Sequence, residues 1–219
     1  MRTIFLIRHA EKPPDRRPKH PGRETQKRPA RKRQTNGVDK SGTPDKEALT
    51  VPGWQRAGAL AVFFGSKKGL PAPRRIYASA PGKAKVAPTV KVGSSSKRPT
   101  LTVSPLAAKL KLSIIAKFAK GQEHDLAAEV TGWKGTTLVS WQHEPIPEIA
   151  ETILGSAKGV PARWPGNRYD VVWRFVRRGK SGRWKFDQVC QNLLFGDKPD
   201  PIPLKPKAHR KRARPQPPR

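Results

Sequence analysis

The stretch IFLIRHAEKPP, residues 4–14, decides how the rest of the chain is read. Ile4 to Ile7 form an uninterrupted apolar run of β-branched, aromatic and aliphatic side chains, the composition of a strand covered on both faces. The run ends at Arg8-His9 and gives way to charge and proline. In open α/β sheets ligands collect at the carboxyl ends of the strands. This strand therefore delivers a guanidinium and an imidazole to the place where a ligand is expected.

Outward from that stretch, strand patterns alternate with helical ones. GWQRAGALAVFFG repeats Trp54, Ala57, Leu60, Ala61 and Phe64 at helical spacing, and RRIYASA at 74–80 reads as a second strand. In RPTLTVSPLAAKLKL, 98–112, the second half reads as a helix with Ser104 as N-cap and Pro105 in its first turn. LSIIAKF at 112–118 reads as a short strand, EHDLAAEVTG at 123–132 as a helix closed by glycine, and TTLVSW at 136–141 as a buried strand. PIPEIAETILG, 145–155, is the next helix, and DVVWRFV with RWKFDQVCQ around RRGKSG forms a terminal hairpin. The alternation predicts an α/β fold, a three-layer α/β/α sandwich with a mostly parallel central sheet.

The chain has 219 residues, enough for one domain with a sizeable core, here placed at 1–198. Its single cysteine, Cys190, excludes an intramolecular disulfide and fits a reducing compartment. No stretch approaches the ~18 apolar residues of a membrane span, and the N-terminus lacks a signal-peptide pattern. A cytoplasmic location is expected. The 46 Lys+Arg against 16 Asp+Glu give a formal charge of +30. Residues 12–46 hold 12 basic and 4 acidic residues, and 198–219 hold 8 and 1. The segment 13–46 and the tail 199–219 are too polar and proline-rich to build a core, and a disordered tail is expected. A further polar insertion lies at 81–97. Such charge attracts polyanions and anionic substrates, so nucleic-acid contact through insertion and tail is a partner to consider beside a small phosphorylated molecule. No nucleic-acid recognition motif is present. The tryptophans at 133, 141, 164, 173 and 184 do not interleave with the basic runs and read as packing residues.

Two strands stop at histidines: Ile4–Ile7 at Arg8-His9, and Thr136–Trp141, through Gln142, at His143-Glu144. If the strands are neighbours, the imidazoles share one pocket, and a strand-to-helix loop brings Arg98 to the same rim. A neutral imidazole can attack phosphorus and carry the group covalently. Guanidiniums grip nonbridging oxygens bidentately, a task that falls to Mg²⁺ in many kinases and GTPases, so no metal or cofactor is needed. The leaving alkoxide needs a proton, and Glu144, beside His143, is the first candidate for a carboxylic acid held neutral to supply it. Lys12 and Ser79 are candidate substrate contacts.

FLIRHAEKP, LTVPGWQRAGAL, SKRPTLTVSPLAAKLKL and TLVSWQHEPIPEIAETIL together resemble the histidine phosphatase, or phosphoglycerate mutase-like, superfamily. The resemblance covers about residues 2–12, 48–80 and 97–197 in preserved order. It implies His9 as the phosphorylated nucleophile, Arg8 and Arg98 as phosphate clamps, and His143 as the second histidine. The implied activity is metal-independent hydrolysis of a phosphomonoester through a phosphohistidine. The alternatives are a mutase-type phosphotransferase and a polyanion binder that keeps the fold as a scaffold. The basic 13–46 segment and the 81–97 insertion depart from the family pattern. So does the acid, which family branches take either from the residue after the second histidine, here Glu144, or from mid-chain, where Glu123 and Asp125 stand.

Overall fold

The computed structural model describes residues 1–13, 37–87, 90–179 and 182–204, with the backbone alone at 83–92. The opening apolar run is β1, Arg2–Arg8, inside a six-stranded sheet. Its alternation has a direct consequence for packing. Ile4 and Leu6 face one core and Phe5 and Ile7 the other, all four no more than 1 % exposed. Each such burial contributes roughly 1.5–3 kcal/mol.

Helices α1, Val51–Phe63, and α2, Arg98–Leu110, cover the Phe5 and Ile7 face with Leu60, Ala61, Val103 and Leu106. Helices α3, Glu123–Gly132, and α4, Ile146–Leu154, cover the other with Leu126, Val130, Ile149 and Ile153. The remaining strands are β2, Arg75–Ala78, the hairpin pair β3, Gly82–Ala87, and β4, Val90–Ser94, then β5, Ile114–Ile115, β6, Gly135–Trp141, β7, Val171–Arg177, and β8, Lys185–Cys190. The main sheet runs β5-β2-β6-β1-β7-β8, with parallel pairing from β5 to β1 and antiparallel pairing from β1 through β7 to β8. The expected three-layer α/β/α sandwich is thus present.

Register positions the site. β1 and β6 are parallel, with Arg8 opposite Trp141, and the His9 amide continues the ladder to the Trp141 carbonyl at 2.9 Å. The residues after both strands leave the sheet side by side. Trp141, Trp164 and Trp173 are buried in the core, as expected of packing residues.

Local details differ from these expectations or add to them. α2 begins at Arg98, with Pro105 inside it. A proline there cannot donate to the Leu101 carbonyl four residues back, and the Ser104 hydroxyl donates to it instead at 3.0 Å. The residue read as an N-cap repairs a helix interior. The strand expected at 112–118 is paired only at Ile114–Ile115. The polar insertion 81–97 is largely a two-stranded antiparallel hairpin, β3 and β4. The fold also does not stop at 198. Ile202 is buried in the core, its amide and carbonyl both bonded to the Gln188 side chain, and Arg168 donates to the Asp200 carbonyl at 2.7 Å.

Within the 13–46 segment, residues 37–46 form a turn whose Val38 carbonyl accepts from the Trp54 indole at 2.9 Å. Residues 14–36 and 205–219 lie outside the described residues, and with them most of the basic surface expected to meet polyanions and the expected disordered tail. Among the described residues no helix is long and apolar enough to cross a membrane.

Candidate functional site

His9 sits one residue beyond β1 and is 4 % exposed. Its Nδ1 lies 2.7 Å from the Ala10 carbonyl oxygen. A carbonyl can only accept, so Nδ1 carries the proton and Nε2 keeps a lone pair. Burial pushes the imidazole pKa down to about 3; Arg8, Arg98 and His143 add to the effect, and the Ala10 carbonyl opposes it. The ring is neutral at any physiological pH.

Arg8, at the end of β1, is 1 % exposed. Its guanidinium donates to the carbonyls of Gly166 at 2.7 Å, Arg168 at 3.2 Å and Pro165 at 3.3 Å, and to the Tyr169 hydroxyl at 3.2 Å. It also stacks 3.9 Å from the Tyr169 ring centre. The turn at 165–169 is in turn fixed by Trp164, whose indole donates to the Arg168 carbonyl at 2.8 Å, and by the Arg168–Asp170 ion pair at 2.6 Å.

Arg98 stands at the first turn of α2 and bears on His9 electrostatically. Its guanidinium donates to the Ala48 carbonyl at 3.1 Å, to the Ser96 hydroxyl at 3.2 Å and to the Lys46 carbonyl. Thr102 ties this helix to the loop that carries the histidine. Its hydroxyl accepts from the Ala10 amide and donates to the Arg98 carbonyl, both at 2.8 Å.

His143 lies two residues beyond β6 and is half-buried. Its pKa is lowered chiefly by burial, then by Arg8, with Lys12 and Lys120 contributing and Glu144 opposing. Glu144 is exposed, with Oε2 3.4 Å from His143 Nδ1 and 3.5 Å from Lys120 Nζ. Burial raises the Glu144 carboxyl, but its own backbone N–H, the His143 ring and Lys120 outweigh this and hold it below the usual carboxylate range. A carboxylic acid held neutral was expected at this position; the carboxyl there is ionised, because its own backbone N–H, the His143 ring and Lys120 favour the charged form. The mid-chain alternatives do no better. Glu123 is buried and accepts from the Trp141 indole at 2.8 Å and the Gly121 amide at 2.9 Å, while Asp125 is exposed on α3.

Ser79 is fully buried just past β2, where its hydroxyl accepts from the Gln142 amide at 3.0 Å. It supports the loop that carries His143 and presents no surface of its own to a ligand. Lys12 is partly exposed in the loop after β1.

Three features escaped the sequence reading. Main-chain carbonyls of 165–168, which no residue type announces, hold Arg8. Lys120 was one basic residue among many. Arg56, buried in α1, donates to Glu11 at 2.9 Å, Gln191 at 2.9 Å and Asp197 at 2.6 Å, locking the loop after β1 to the 191–197 segment. Gly53 lets α1 approach that loop, because a Cβ there would lie 2.6 Å from the Glu11 carbonyl oxygen.

No protein-family model matches the sequence, and no curated protein is similar to it in sequence. Solved structures carry the likeness. The protein histidine phosphatase SixA complexed with tungstate superposes with a TM-score of 0.52 at 14% identity, covering 86% of this chain and 97% of that one. The chain shares its fold with that phosphatase. A mycobacterial glucosyl-3-phosphoglycerate phosphatase complexed with VO3 gives a TM-score of 0.50 at 12% identity, covering 85% and 98%. A putative alpha-ribazole-5'-P phosphatase from Escherichia coli gives 0.50 at 10%, covering 87% and 97%. Identities this low carry the architecture and leave the chemistry to the residues.

Proposed function

We propose that this chain is a phosphatase that hydrolyses a phosphomonoester through a phosphohistidine on His9, with no metal ion. One observation carries the proposal: a buried, neutral imidazole with Nδ1 committed to a carbonyl and a lone pair left on Nε2, within electrostatic reach of Arg8, Arg98 and His143. Nε2 attacks phosphorus, the N–P bond forms, and the P–O bond to the leaving group breaks, the leaving oxygen taking its proton from solvent water because Glu144 is ionised. Arg8, Arg98 and, when protonated, His143 offset the charge on the nonbridging oxygens as it shifts in the transition state. Water then attacks phosphorus, the N–P bond breaks, and phosphate leaves. Glu144, ionised, serves as the carboxylate that raises the His143 pKa and takes a proton from the incoming water. Proteins of this fold complexed with tungstate and with VO3 support an oxyanion as the ligand.

The test is hydrolysis of para-nitrophenyl phosphate in EDTA by the protein and by His9→Gln. Turnover that survives the chelator and vanishes in the variant is expected; turnover retained in the variant removes His9 as nucleophile. The +30 charge favours a second reading, a polyanion binder on the same scaffold. Salt-sensitive nucleic-acid binding without turnover would select it.

A further inference from the structure

Ile202 anchors the last described stretch of the chain in the core, and two residues later Leu204 lines an apolar groove of about 300 Å³ with Trp164, Pro165 and Pro203. Arg163 is the one cation among the described residues of its wall. Ala162 belongs both to this groove and to a second hollow, of about 350 Å³, formed by α4 and the 157–162 loop. The two therefore make one continuous surface that begins where the described chain ends.

The second hollow has the opposite charge from the rest of the molecule. Of the 16 acidic residues in a chain of formal charge +30, Glu144, Glu148 and Glu151 line it, and no basic residue does so among the described ones. Glu144 is engaged by His143 and Lys120, and Glu148 lies 3.2 Å from the exposed His124 ring. Glu151 is exposed and pairs with no cation among the described residues. Three carboxylates repel a phosphate or a nucleic acid, so this surface fits an extended cationic segment with apolar residues at one end.

Such a segment starts at the groove itself. Residues 205–219, KPKAHRKRARPQPPR, hold seven Lys+Arg, four prolines and no acid. Lys211, seven residues beyond Leu204, has a reach of roughly 23 Å in extended chain. Attachment at the edge of the groove supplies an effective concentration on the order of millimolar, so contacts too weak to hold a free peptide suffice.

We infer that the groove and the acidic hollow together dock the chain's own C-terminal segment, with the basic residues of 207–214 set against Glu148 and Glu151. The inference goes beyond the phosphatase reading and stands without it. The carboxylates are exposed, so each contact is weak and salt weakens it further.

Zero-length carbodiimide cross-linking of the full chain tests this, because it joins a carboxylate to a lysine only where the two touch. An equal mixture of ¹⁴N- and ¹⁵N-labelled protein separates bonds within one chain from bonds between two, and peptide mass analysis locates them. Bonds from Glu148 or Glu151 to Lys207 or Lys211 of the same chain should outnumber those from the exposed Asp125 or Asp187 to the same lysines by roughly fivefold or more, since docking raises the local concentration of a tethered group. Raising salt from about 50 mM to about 500 mM should cut their yield roughly threefold as the screening length shrinks. The double variant Glu148→Gln, Glu151→Gln should lose the remaining bonds, from Glu144, as well, with its circular dichroism unchanged. An even spread over exposed acids, bonds only between chains, bonds from these glutamates to the lysines of 14–36 instead, or no bond to 207–211 each overturn the inference.

Discussion

His9 and His143 leave adjacent parallel strands at the same edge of the sheet, one and two residues beyond them, yet they meet opposite surroundings. His9 is enclosed, its ring oriented by a main-chain carbonyl, and its loop held by Thr102 through one hydrogen bond. His143 is half open and set among side-chain charges of both signs, Glu144 against Lys12 and Lys120. The difference separates two requirements of one displacement reaction. A nucleophile must be neutral and fixed, which backbone and burial provide, whereas a group that answers changing charge needs neighbours that can be rearranged.

The largest expected contrast is kinetic. His9→Gln should reduce turnover by roughly 10³-fold or more, as removal of a nucleophile does. His143→Gln should cost roughly 10²-fold, the loss of one transition-state donor, and steady-state kinetics on para-nitrophenyl phosphate reads both. Equal losses would erase the distinction between the two rings. Next in size is Arg56→Ala, which leaves Glu11 and Asp197 without their buried partner and should destabilise the fold by about 3–5 kcal/mol in urea unfolding.

The third contrast lies in pH. The folded pKa of His9, about 3, is below its ordinary value of 6.5, so the unfolded chain binds the extra proton between those limits. Stability from this group is complete above 6.5 and is lost as pH falls toward 3, a few kcal/mol in all. The acid limb of the stability curve should flatten in His9→Gln, and imidazole NMR should show His9 unprotonated at pH 5. The smallest shift in pH behaviour is that of Glu144→Gln. Because Glu144 raises the His143 pKa, the variant should lower it, and only slightly, given the exposure of the pair. A rise would contradict the assignment.

How much of this was legible in sequence depends on what each feature is made of. β1 and β6 were readable because buried parallel strands are apolar throughout, and Arg8, His9 and His143 were readable as the polar residues at their carboxyl ends. The parallel register that sets His9 beside the loop of His143 was an inference that the pairing of Arg8 with Trp141 supports. The partners of Arg8 were not readable, because backbone carbonyls have no side-chain signature. Pro105 misled because a Ser-Pro pair commonly opens helices, and here the Ser104 hydroxyl fills the bond that the proline cannot make. Ile202 was lost in a proline-rich, basic context, although one isoleucine between prolines sufficed to pin the chain to the core. Glu144 was expected to be neutral, whereas its own backbone N–H, the His143 ring and Lys120 favour the ionised form, and Lys120, distant in sequence, could not be anticipated.

The central claim is a covalent bond between phosphorus and one imidazole nitrogen. Rapid alkaline quench during turnover, followed by peptide mass analysis, tests it most directly. The account predicts one phosphoryl group on the peptide containing His9, stable in alkali, lost in acid and absent from His9→Gln. A phosphoryl group on any other residue, or none while turnover proceeds at a rate that requires a populated intermediate, would contradict it.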